Sequence, residues 1–570
     1  METAVRRSRA SKPKVRTGCI TCKIRRVKCD EGKPACHRCL STGRKCDGYI
    51  QPAPRAPHEL RQCTSIITTQ ESRALEFFFK TSSTTFAGFL ERSFWKRSVL
   101  QFSLSEPCIR QALAALGTIH ECEGGLLGSV YQSRDPRLSE QLYNRAIQLT
   151  VQKAAAGNAA VPIVVTASIL FTCYEFLRRN SAAAAGHIAS GINILRGWRH
   201  SNQPLQRNAW NTGYRSFEAQ FIETELAPVL TLFNLNVSEF GPFPRSRLIL
   251  NAVEGGRPTL PARFETLREA RGALVDLVTA TTELFQSLDY GVECGKPSNE
   301  LIATASTDLQ VKFELWVTKF RNLVQCGEPT WNKEEQSAAK VVKIMQLGAE
   351  MALAAYLFSS ECEWDARRAG YEEIIQLAEA LVNDPAHYPT EFSKALSLDL
   401  GLIYPLHAVA WKCRYPDLRR QGLALLLRIA RREWLLDARQ YHAIFSRIME
   451  IEEQALGELY GSNEAQTILP LEYARIHDFF CLPQPTLLAE KPQYTVTFLS
   501  KPYGLDGPWH YMTENIELPT LGAGDIAPSN LISTKRWASP DATDPATANM
   551  LKNTVFGKLG TFAGLKPGTT

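Results

Sequence analysis

Six cysteines in one short N-terminal stretch constrain this chain more than any other feature. They stand at Cys19, Cys22, Cys29, Cys36, Cys39 and Cys46, which gives the spacing C-x2-C-x6-C-x6-C-x2-C-x6-C. The stretch is an internal repeat, because CITCKIRRVKC is followed seventeen residues later by CHRCLSTGRKC. A segment of about 30 residues cannot bury enough apolar surface to fold alone, so bonds made by its cysteines have to stabilise it.

Metal ligation explains the cysteine count better than disulfides do. The first sixteen residues are basic and lack the apolar stretch of a secretory signal, so we expect a reducing intracellular environment. Zinc takes four tetrahedral thiolate ligands, and two separate all-cysteine sites would need eight. Six cysteines fill eight ligand positions if two of them bridge two zinc ions. The repeat makes the first cysteine of each half, Cys19 and Cys36, the expected bridging pair.

The positive charge of the chain lies in the same region. The formal net charge is +7, yet residues 1–48 alone contain fourteen Lys/Arg against four acids, and the remaining 522 residues are slightly acidic. A basic segment beside a metal cluster indicates a polyanionic partner. Metal storage is disfavoured because the rest of the chain is not dense in cysteine. RNA is disfavoured because residues 19–46 contain no Phe, Tyr or Trp on which bases could stack.

Residues 19–46 resemble the fungal zinc binuclear cluster (Zn(2)-C6) DNA-binding domain in every ligand spacing, and Pro34 matches its inter-half loop. The resemblance implies two Zn²⁺ ions bridged by Cys19 and Cys36, in agreement with the ligand count. It implies a short basic helix after the second cysteine, with Arg25 and Arg26 contacting the bases of CGG-like triplets and Arg26 the stronger candidate. It further implies a nuclear, sequence-specific transcription regulator of RNA polymerase II type that binds double-stranded DNA.

The two halves of the repeat differ in charge, which predicts different contacts with DNA. Residues 23–28 contain four bases and residues 40–45 contain two, so the first half is expected to enter the major groove. An arginine that bonds guanine O6 and N7 contributes about 1–3 kcal/mol of discrimination. The expected DNA-binding residues of the first half are Lys23, Arg25, Arg26 and Lys28. The expected phosphate contacts, which add affinity without sequence information, are Lys12, Lys14, Arg16, Arg38, Arg44 and Lys45.

Five segments are expected along the chain. They are a basic arm (1–18), the zinc cluster (19–48), a Pro-containing linker (49–70), an α-helical regulatory domain (71–500) and a flexible C-terminal tail (501–570). The fold class is therefore a small two-zinc six-cysteine DNA-binding module of short helices and loops, joined to a large all-α helical domain. The linker contains Pro52, Pro54 and Pro57 and has no sustained heptad pattern. Either the protein binds a single half-site, or a homodimer forms through the helical domain.

Apolar residues recur at helical spacing through much of the large domain. The segments with this pattern are 106–122, 138–154, 264–288, 336–358, 366–383 and 416–459. Residues 494–500, YTVTFLS, alternate instead and are expected to pair with 508–512 in a small hairpin. The aromatic groups at 77–79 and 94–95 are expected in the core. Segments 90–121, 173–195 and 400–426 resemble the regulatory region downstream of many fungal zinc clusters, which implies a non-catalytic role and a possible small-molecule effector.

Neither catalysis nor membrane insertion is indicated by the sequence. We find no G-x-S-x-G elbow, no complete P-loop and no complete zincin motif, so we expect no enzyme. The longest apolar runs are well short of the roughly 20 residues that span a bilayer. Two other hypotheses stay open: a helical enzyme or effector-binding protein that uses the cluster only as an anchor, and a protein-interaction scaffold.

Overall fold

The computed structural model divides the chain into two compact units, Met1–Ile66 and Ile67–Thr570. In the first unit the structure describes residues 18–48. In the second unit it describes residues 68–88, 90–124, 136–156, 160–178, 180–201, 216–240, 250, 258–294, 299–357, 360–384, 396–397, 401–429, 432–433, 436–460, 468–482 and 493–517.

The first unit contains two short helices, one in each half of the cysteine repeat. Helix α1 spans Ile20–Ile24 and helix α2 spans His37–Leu40. The buried side chains of this unit are cysteines: Cys19, Cys22, Cys36 and Cys39 are buried, with Cys29 and Cys46 packed against them. The six sulfurs therefore take the place of a hydrophobic core among the described residues.

The second unit is mostly helical, as the sequence predicts. Its helices are α3 Thr69–Phe77, α4 Ser83–Ala87, α5 Val99–Ser105, α6 Pro107–Gly124, α7 Pro136–Ala155, α8 Val161–Leu177, α9 Ser181–Ser201, α10 Phe217–Phe221, α11 Ala227–Phe240, α12 Leu267–Cys294, α13 Asn299–Gly327, α14 Lys333–Leu357, α15 Arg368–Val382, α16 Ile403–Lys412, α17 Pro416–Ile429 and α18 Ala438–Tyr460. Three π-helical turns (Phe78–Ser82, Phe94–Ser98, Ile222–Leu226) and one 3₁₀ turn (Glu361–Arg367) lie between them, and a second 3₁₀ turn (Glu472–Ala474) follows α18. The expected fold class, a small zinc module with a large helical domain, is confirmed.

Local sequence explains where these helices begin and how closely they pack. Thr68 and Glu71 form a capping box at the start of α3, each side chain accepting the other residue's backbone N–H at 3.1 Å. In α6, a Cβ at Gly117 would overlap the carbonyl oxygen of Ala74 in α3. The glycine therefore allows α3 and α6 to pack backbone against backbone.

Three hydrophobic clusters fill the second unit. One is formed mainly by α3–α9 and α11, a second mainly by α14–α18 with a β-sheet, and a third by α12, α13 and α14. Phe78, Phe94 and Trp95 are buried in the first cluster, which confirms the expected core role of these aromatic groups. No helix of the described residues combines the length and apolarity needed to cross a bilayer.

A three-stranded antiparallel sheet ends the described part of the chain. Its strands β4 Ile476–Leu482, β5 Gln493–Ser500 and β6 His510–Glu517 lie in that order, after a small sheet of β1 Leu396–Ser397, β2 Arg432–Glu433 and β3 Leu436–Asp437. The predicted hairpin is confirmed, because Leu499 pairs with Tyr511. Strand β6 lies beyond residue 500, where the sequence analysis placed the start of the tail, and its Met512 and Ile516 are buried.

Five of the six predicted helical segments coincide with helices α6, α7, α12, α14 and α15, with shifted ends. The sixth, 416–459, is divided into α17 and α18 by strands β2 and β3. Tertiary contacts account for the break. The Glu433 carboxylate accepts hydrogen bonds from the backbone N–H groups of Leu402 and Ile403 at the start of α16 (3.0 and 2.8 Å). Arg432 donates to the carbonyl of Phe176 at the end of α8 (2.8 Å).

Buried charges connect α16, α17, α18 and β4. Glu452 is fully buried and accepts from Arg414 at 3.1 Å, from Arg419 at 2.6 Å and from the backbone N–H of Ile476 at 2.8 Å. Burial alone would raise the pKa of the Glu452 carboxyl, but the two guanidinium groups more than offset this effect and hold the pKa at about 2.

Replacing Glu452 by glutamine is expected to lower the free energy of unfolding of the second unit by about 3–5 kcal/mol, because two buried guanidinium groups lose the carboxylate they share. Calorimetric unfolding of the full chain measures the effect. In the wild type this contribution is present above the ordinary glutamate pKa of 4.5 and is lost as pH falls towards about 2.

The neighbouring Glu453 offers a matched control. It pairs with Arg420 at the surface, where an ion pair contributes at most about 1 kcal/mol. Glu453→Gln should therefore leave the unfolding transition nearly unchanged. Equal losses for the two variants would contradict a special role of the buried Glu452 network.

Candidate metal centre and nucleic-acid interface

The six cysteines of the first unit form one contiguous cluster. The Sγ atoms of Cys19, Cys22, Cys36 and Cys39 lie within 4.8 Å of one another. Cys29 contacts Cys22, and Cys46 contacts both Cys19 and Cys36. The Sγ atoms of Cys19 and Cys36 lie 3.6 Å apart.

The separations of these sulfurs fit zinc ligation. With Zn–S bonds of about 2.3 Å, the edge of a ZnS₄ tetrahedron is about 3.8 Å. The Sγ atoms of Cys19 and Cys22 each lie between 3.6 and 3.8 Å from those of Cys36 and Cys39. All six thiols are free of disulfides. The donor set and its spacing therefore suit zinc, and the count of six cysteines corresponds to two ions.

Backbone N–H groups oppose the effect of burial on several of these thiols. Burial raises the pKa of the Cys36 thiol and of the Cys19 thiol, and at Cys19 the backbone N–H of Cys22, 3.3 Å from Sγ, acts in the opposite direction. The backbone N–H of Glu31 lies 3.4 Å from the Cys29 Sγ. Such N–H groups stabilise negative charge on sulfur, which is the state that binds metal.

An aspartate from each half holds the helix of the other half. Asp30, which follows the last cysteine of the first half, accepts from the backbone N–H groups of His37 and Arg38 at the start of α2, both at 2.9 Å. These bonds lower the pKa of the Asp30 carboxyl. Asp47 stands at the equivalent position of the second half and accepts from the Thr21 hydroxyl in α1 at 2.8 Å. The repeat in sequence is thus a repeat in structure, with reciprocal contacts.

Both helices end in the same pair of hydrogen bonds. After α1, the N–H of Val27 bonds to Cys22 O and the N–H of Arg26 bonds to Lys23 O, both at 3.1 Å. After α2, Arg44 and Gly43 repeat this pattern with Cys39 and Leu40, both at 3.0 Å. This is the Schellman motif, which places one residue in the left-handed region.

The residue in the left-handed position differs between the halves. It is Gly43 in the second half (φ 64°), the residue type that this conformation favours, but Arg26 in the first (φ 53°). A non-glycine residue there is strained by about 1–2 kcal/mol. The first half therefore retains a long cationic side chain at a position where glycine would be less strained.

The four predicted DNA-binding residues lie on one short segment at the surface. Lys23 belongs to α1, and Lys23, Arg26 and Lys28 are exposed, whereas Arg25 is half-buried. Arg25 donates from Nη1 to the hydroxyl of Thr42 in the second half, at 3.3 Å. The two arginines at adjacent positions are thus held differently.

The predicted phosphate contacts divide between described and undescribed residues. Arg38, Arg44 and Lys45 are exposed in the second half. Lys12, Lys14 and Arg16 lie outside the described residues. Sequence reasoning missed the roles of Asp30, Asp47 and Thr42, although aligning the two halves of the repeat would have placed the aspartates at equivalent positions.

Comparison with known proteins assigns the cysteine module. Residues 17–56 match the fungal Zn(2)-Cys(6) binuclear cluster domain. The chain therefore carries such a domain, and its cofactor is two zinc ions. The predicted zinc module is confirmed, whereas no family profile supports the fungal-specific regulatory domain expected for the second unit.

Several curated proteins are similar to longer or shorter parts of the chain. The aspercryptin biosynthesis cluster-specific transcription regulator atnN of Emericella nidulans is 26% identical over 421 residues, or 64% of this chain and 64% of that protein. The transcription regulator lscL of Purpureocillium lilacinum is 27% identical over 206 residues, 32% of this chain and 49% of its own length. The transcriptional regulatory protein moc3 of Schizosaccharomyces pombe is 51% identical over 43 residues, 8% of each chain.

The extent of these matches differs between the two units. The alignments with atnN and lscL span less than two thirds of those proteins' lengths. Because the first unit has 66 residues, an alignment over 64% of this chain includes a large part of the second unit. All three relatives are named as regulators of transcription, in agreement with the expected absence of catalysis. No solved structure matches the chain significantly.

Proposed function

We propose that this protein is a sequence-specific, DNA-binding transcription regulator of RNA polymerase II type that acts in the nucleus. In this proposal the zinc module reads CGG-like triplets in the major groove, and the helical unit regulates its activity. The regulators atnN and lscL support the proposal, since both are transcription regulators by name and atnN is similar to much of the second unit.

The single observation that carries the proposal is the left-handed backbone of Arg26. Strained backbone conformations cluster at functional sites, so a left-handed arginine supports a functional role for its side chain. The second half of the repeat has glycine at the same point of the same motif, so the fold itself does not require arginine. A guanidinium group exposed at the end of α1 suits guanine O6 and N7. Arg26 is therefore the proposed principal base contact, with Arg25 beside it.

The remaining basic residues are assigned to the DNA backbone. Lys23 and Lys28 flank the two arginines, and Arg38, Arg44 and Lys45 are exposed in the second half. Together with the undescribed basic arm, they would neutralise phosphates and make binding sensitive to salt. Cys19 and Cys36 are proposed to bridge the two zinc ions, because their sulfurs lie 3.6 Å apart and both contact Cys46.

The second unit is proposed to be the regulatory part of the protein. Its described residues form a helical unit with three buried hydrophobic clusters, which suits a domain that transmits regulation. A homodimer formed through this unit, or a small-molecule effector bound by it, would set half-site spacing or activity. The name of atnN suggests that the genes of one biosynthetic cluster are the first targets to examine.

The test is selection of duplexes from a random pool by the zinc-loaded full chain. We expect the retained duplexes to share a CGG-like triplet, and we expect chelation of zinc to abolish retention because the module folds only with metal. The proposal would be wrong if the retained duplexes shared no common sequence. It would also be wrong if the same motif were selected after zinc is removed. Sequencing of genomic DNA bound in cells then gives half-site arrangement and target genes together.

A further inference from the structure

We infer that Thr42 is a positioning residue that determines base specificity by orienting Arg25. This inference rests on the proposed function, since it names how one of the two proposed base-reading arginines is held. The Arg25 Nη1 donates to the Thr42 hydroxyl at 3.3 Å, across the two halves of the cluster module. The contact joins equivalent positions of the repeat, because each residue stands six positions after the first cysteine of its half.

The Thr42 hydroxyl is itself held in one orientation. Its proton points to the carbonyl oxygens of Arg38 and Cys39, at 3.0 and 3.1 Å. A hydroxyl has one proton and two lone pairs, so a lone pair stays available for the guanidinium of Arg25. Cys39 is one of the zinc ligands, and the acceptor is thereby attached to the rigid centre of the module. Arg25 is anchored to that centre through a neighbouring residue.

The anchor changes what Arg25 can do at DNA. A free arginine side chain loses much rotamer freedom when it binds, and an arginine already held in place loses less. One of its five N–H donors bonds to Thr42, which leaves the others to reach a base edge or a phosphate. Arg26 has the opposite character, since its side chain is exposed and the left-handed backbone fixes only where it starts. Arg25 is thus the pre-oriented member of the pair.

The experiment compares full-length, zinc-loaded variants in selection from random duplexes, followed by binding to the selected duplex and to its single-base variants. Thr42→Ala is expected to lower discrimination at one base position by about 3- to 10-fold, the net effect of one hydrogen bond. The same position should respond to Arg25→Ala, and the double variant should discriminate no worse than Arg25→Ala alone. Thr42→Ser keeps the hydroxyl and should keep the preference.

Ser41→Ala is the matched control, because Ser41 is an exposed neighbour in the same turn. It should leave both preference and affinity as in the wild type. Each variant is first checked for two zinc ions per chain, since that count shows that the module is folded. If the Thr42→Ala protein lost zinc, the Thr42→Ser protein would be decisive, because it keeps the hydroxyl. A Thr42→Ser protein that retained zinc but lost the base preference would overturn the inference.

Two further outcomes would overturn the inference. One is an unchanged base preference for Thr42→Ala. The other is an equal loss of affinity for all sequences, because that result marks a structural residue. Failure of the proposed function is distinguishable from both, since the wild-type chain itself would then select no motif.

Discussion

Replacing Cys36 by alanine should remove both zinc ions from the protein, whereas replacing Cys29 should remove at most one. Cys36 and Cys19 are the proposed bridging ligands, so each would serve both metals, and the Sγ atoms of this pair lie 3.6 Å apart. Structural zinc contributes roughly 10–16 kcal/mol to the folding of small domains at neutral pH. Loss of both ions should therefore unfold the module and abolish specific DNA binding. Native mass spectrometry counts the ions per chain directly.

A comparison of four alanine variants separates bridging from terminal ligands. Cys19→Ala should behave as Cys36→Ala does, and Cys46→Ala as Cys29→Ala does. Cys326→Ala provides the control, because this exposed cysteine belongs to the second unit, and it should retain two zinc ions. If Cys29→Ala lost both ions while Cys36→Ala kept one, the assignment of the bridging pair would be wrong.

Replacing Arg26 by glycine should separate folding from recognition. Glycine adopts the left-handed conformation without the strain of about 1–2 kcal/mol, although it also adds freedom to the unfolded chain. The variant should therefore hold zinc at least as well as the wild type. It should nevertheless lose about 5- to 150-fold in affinity for its selected duplex, because a bidentate guanine contact contributes about 1–3 kcal/mol. Chelator competition measures the first effect and duplex titration the second.

The equivalent position of the second half supplies the converse control. Gly43→Ala introduces the left-handed strain and removes no cationic side chain, so it should weaken zinc retention and leave base preference unchanged. An Arg26→Gly protein that binds its selected duplex as tightly as the wild type would exclude Arg26 as the base contact. Weaker zinc retention in that variant would show that any strain relieved at this position is smaller than the conformational entropy that glycine adds to the unfolded chain.

The cysteine module could be predicted in detail because its constraints are local. Ligand spacing, ligand count and repeat symmetry all lie within residues 19–46, and zinc ligation leaves few alternative arrangements for six thiolates. The family match at residues 17–56 agrees with that reasoning. What the repeat in sequence did not reveal is the exchange of contacts between halves, such as Asp30 at the start of α2.

In the helical unit, apolar periodicity predicts several helices but not the interruption of segment 416–459. Helices α6, α7, α12, α14 and α15 follow from apolar spacing, because each has to bury one face. The periodic segment 416–459 is nevertheless broken, since Arg432 and Glu433 bond to the ends of α8 and α16. Those partners lie far away along the chain, and no local pattern could indicate them. Strand β6 was expected only as the second strand of a hairpin, over 508–512. Its full extent, His510–Glu517, lies in the segment expected to be a tail, because its pairing with β5 and its buried residues depend on the assembled core.

The sequence by itself determined that this protein has a two-zinc cysteine module with a basic face and a separate, mostly helical unit. Cysteine spacing, charge and apolar periodicity are properties of neighbouring residues, so they can be determined from the sequence alone. Only the tertiary structure decided that Arg26 occupies a strained left-handed position and that Arg25 is held by Thr42. Backbone dihedral angles and hydrogen bonds across a repeat arise when the two halves close around their cysteines, which is why adjacent arginines that look alike in sequence differ in the folded protein.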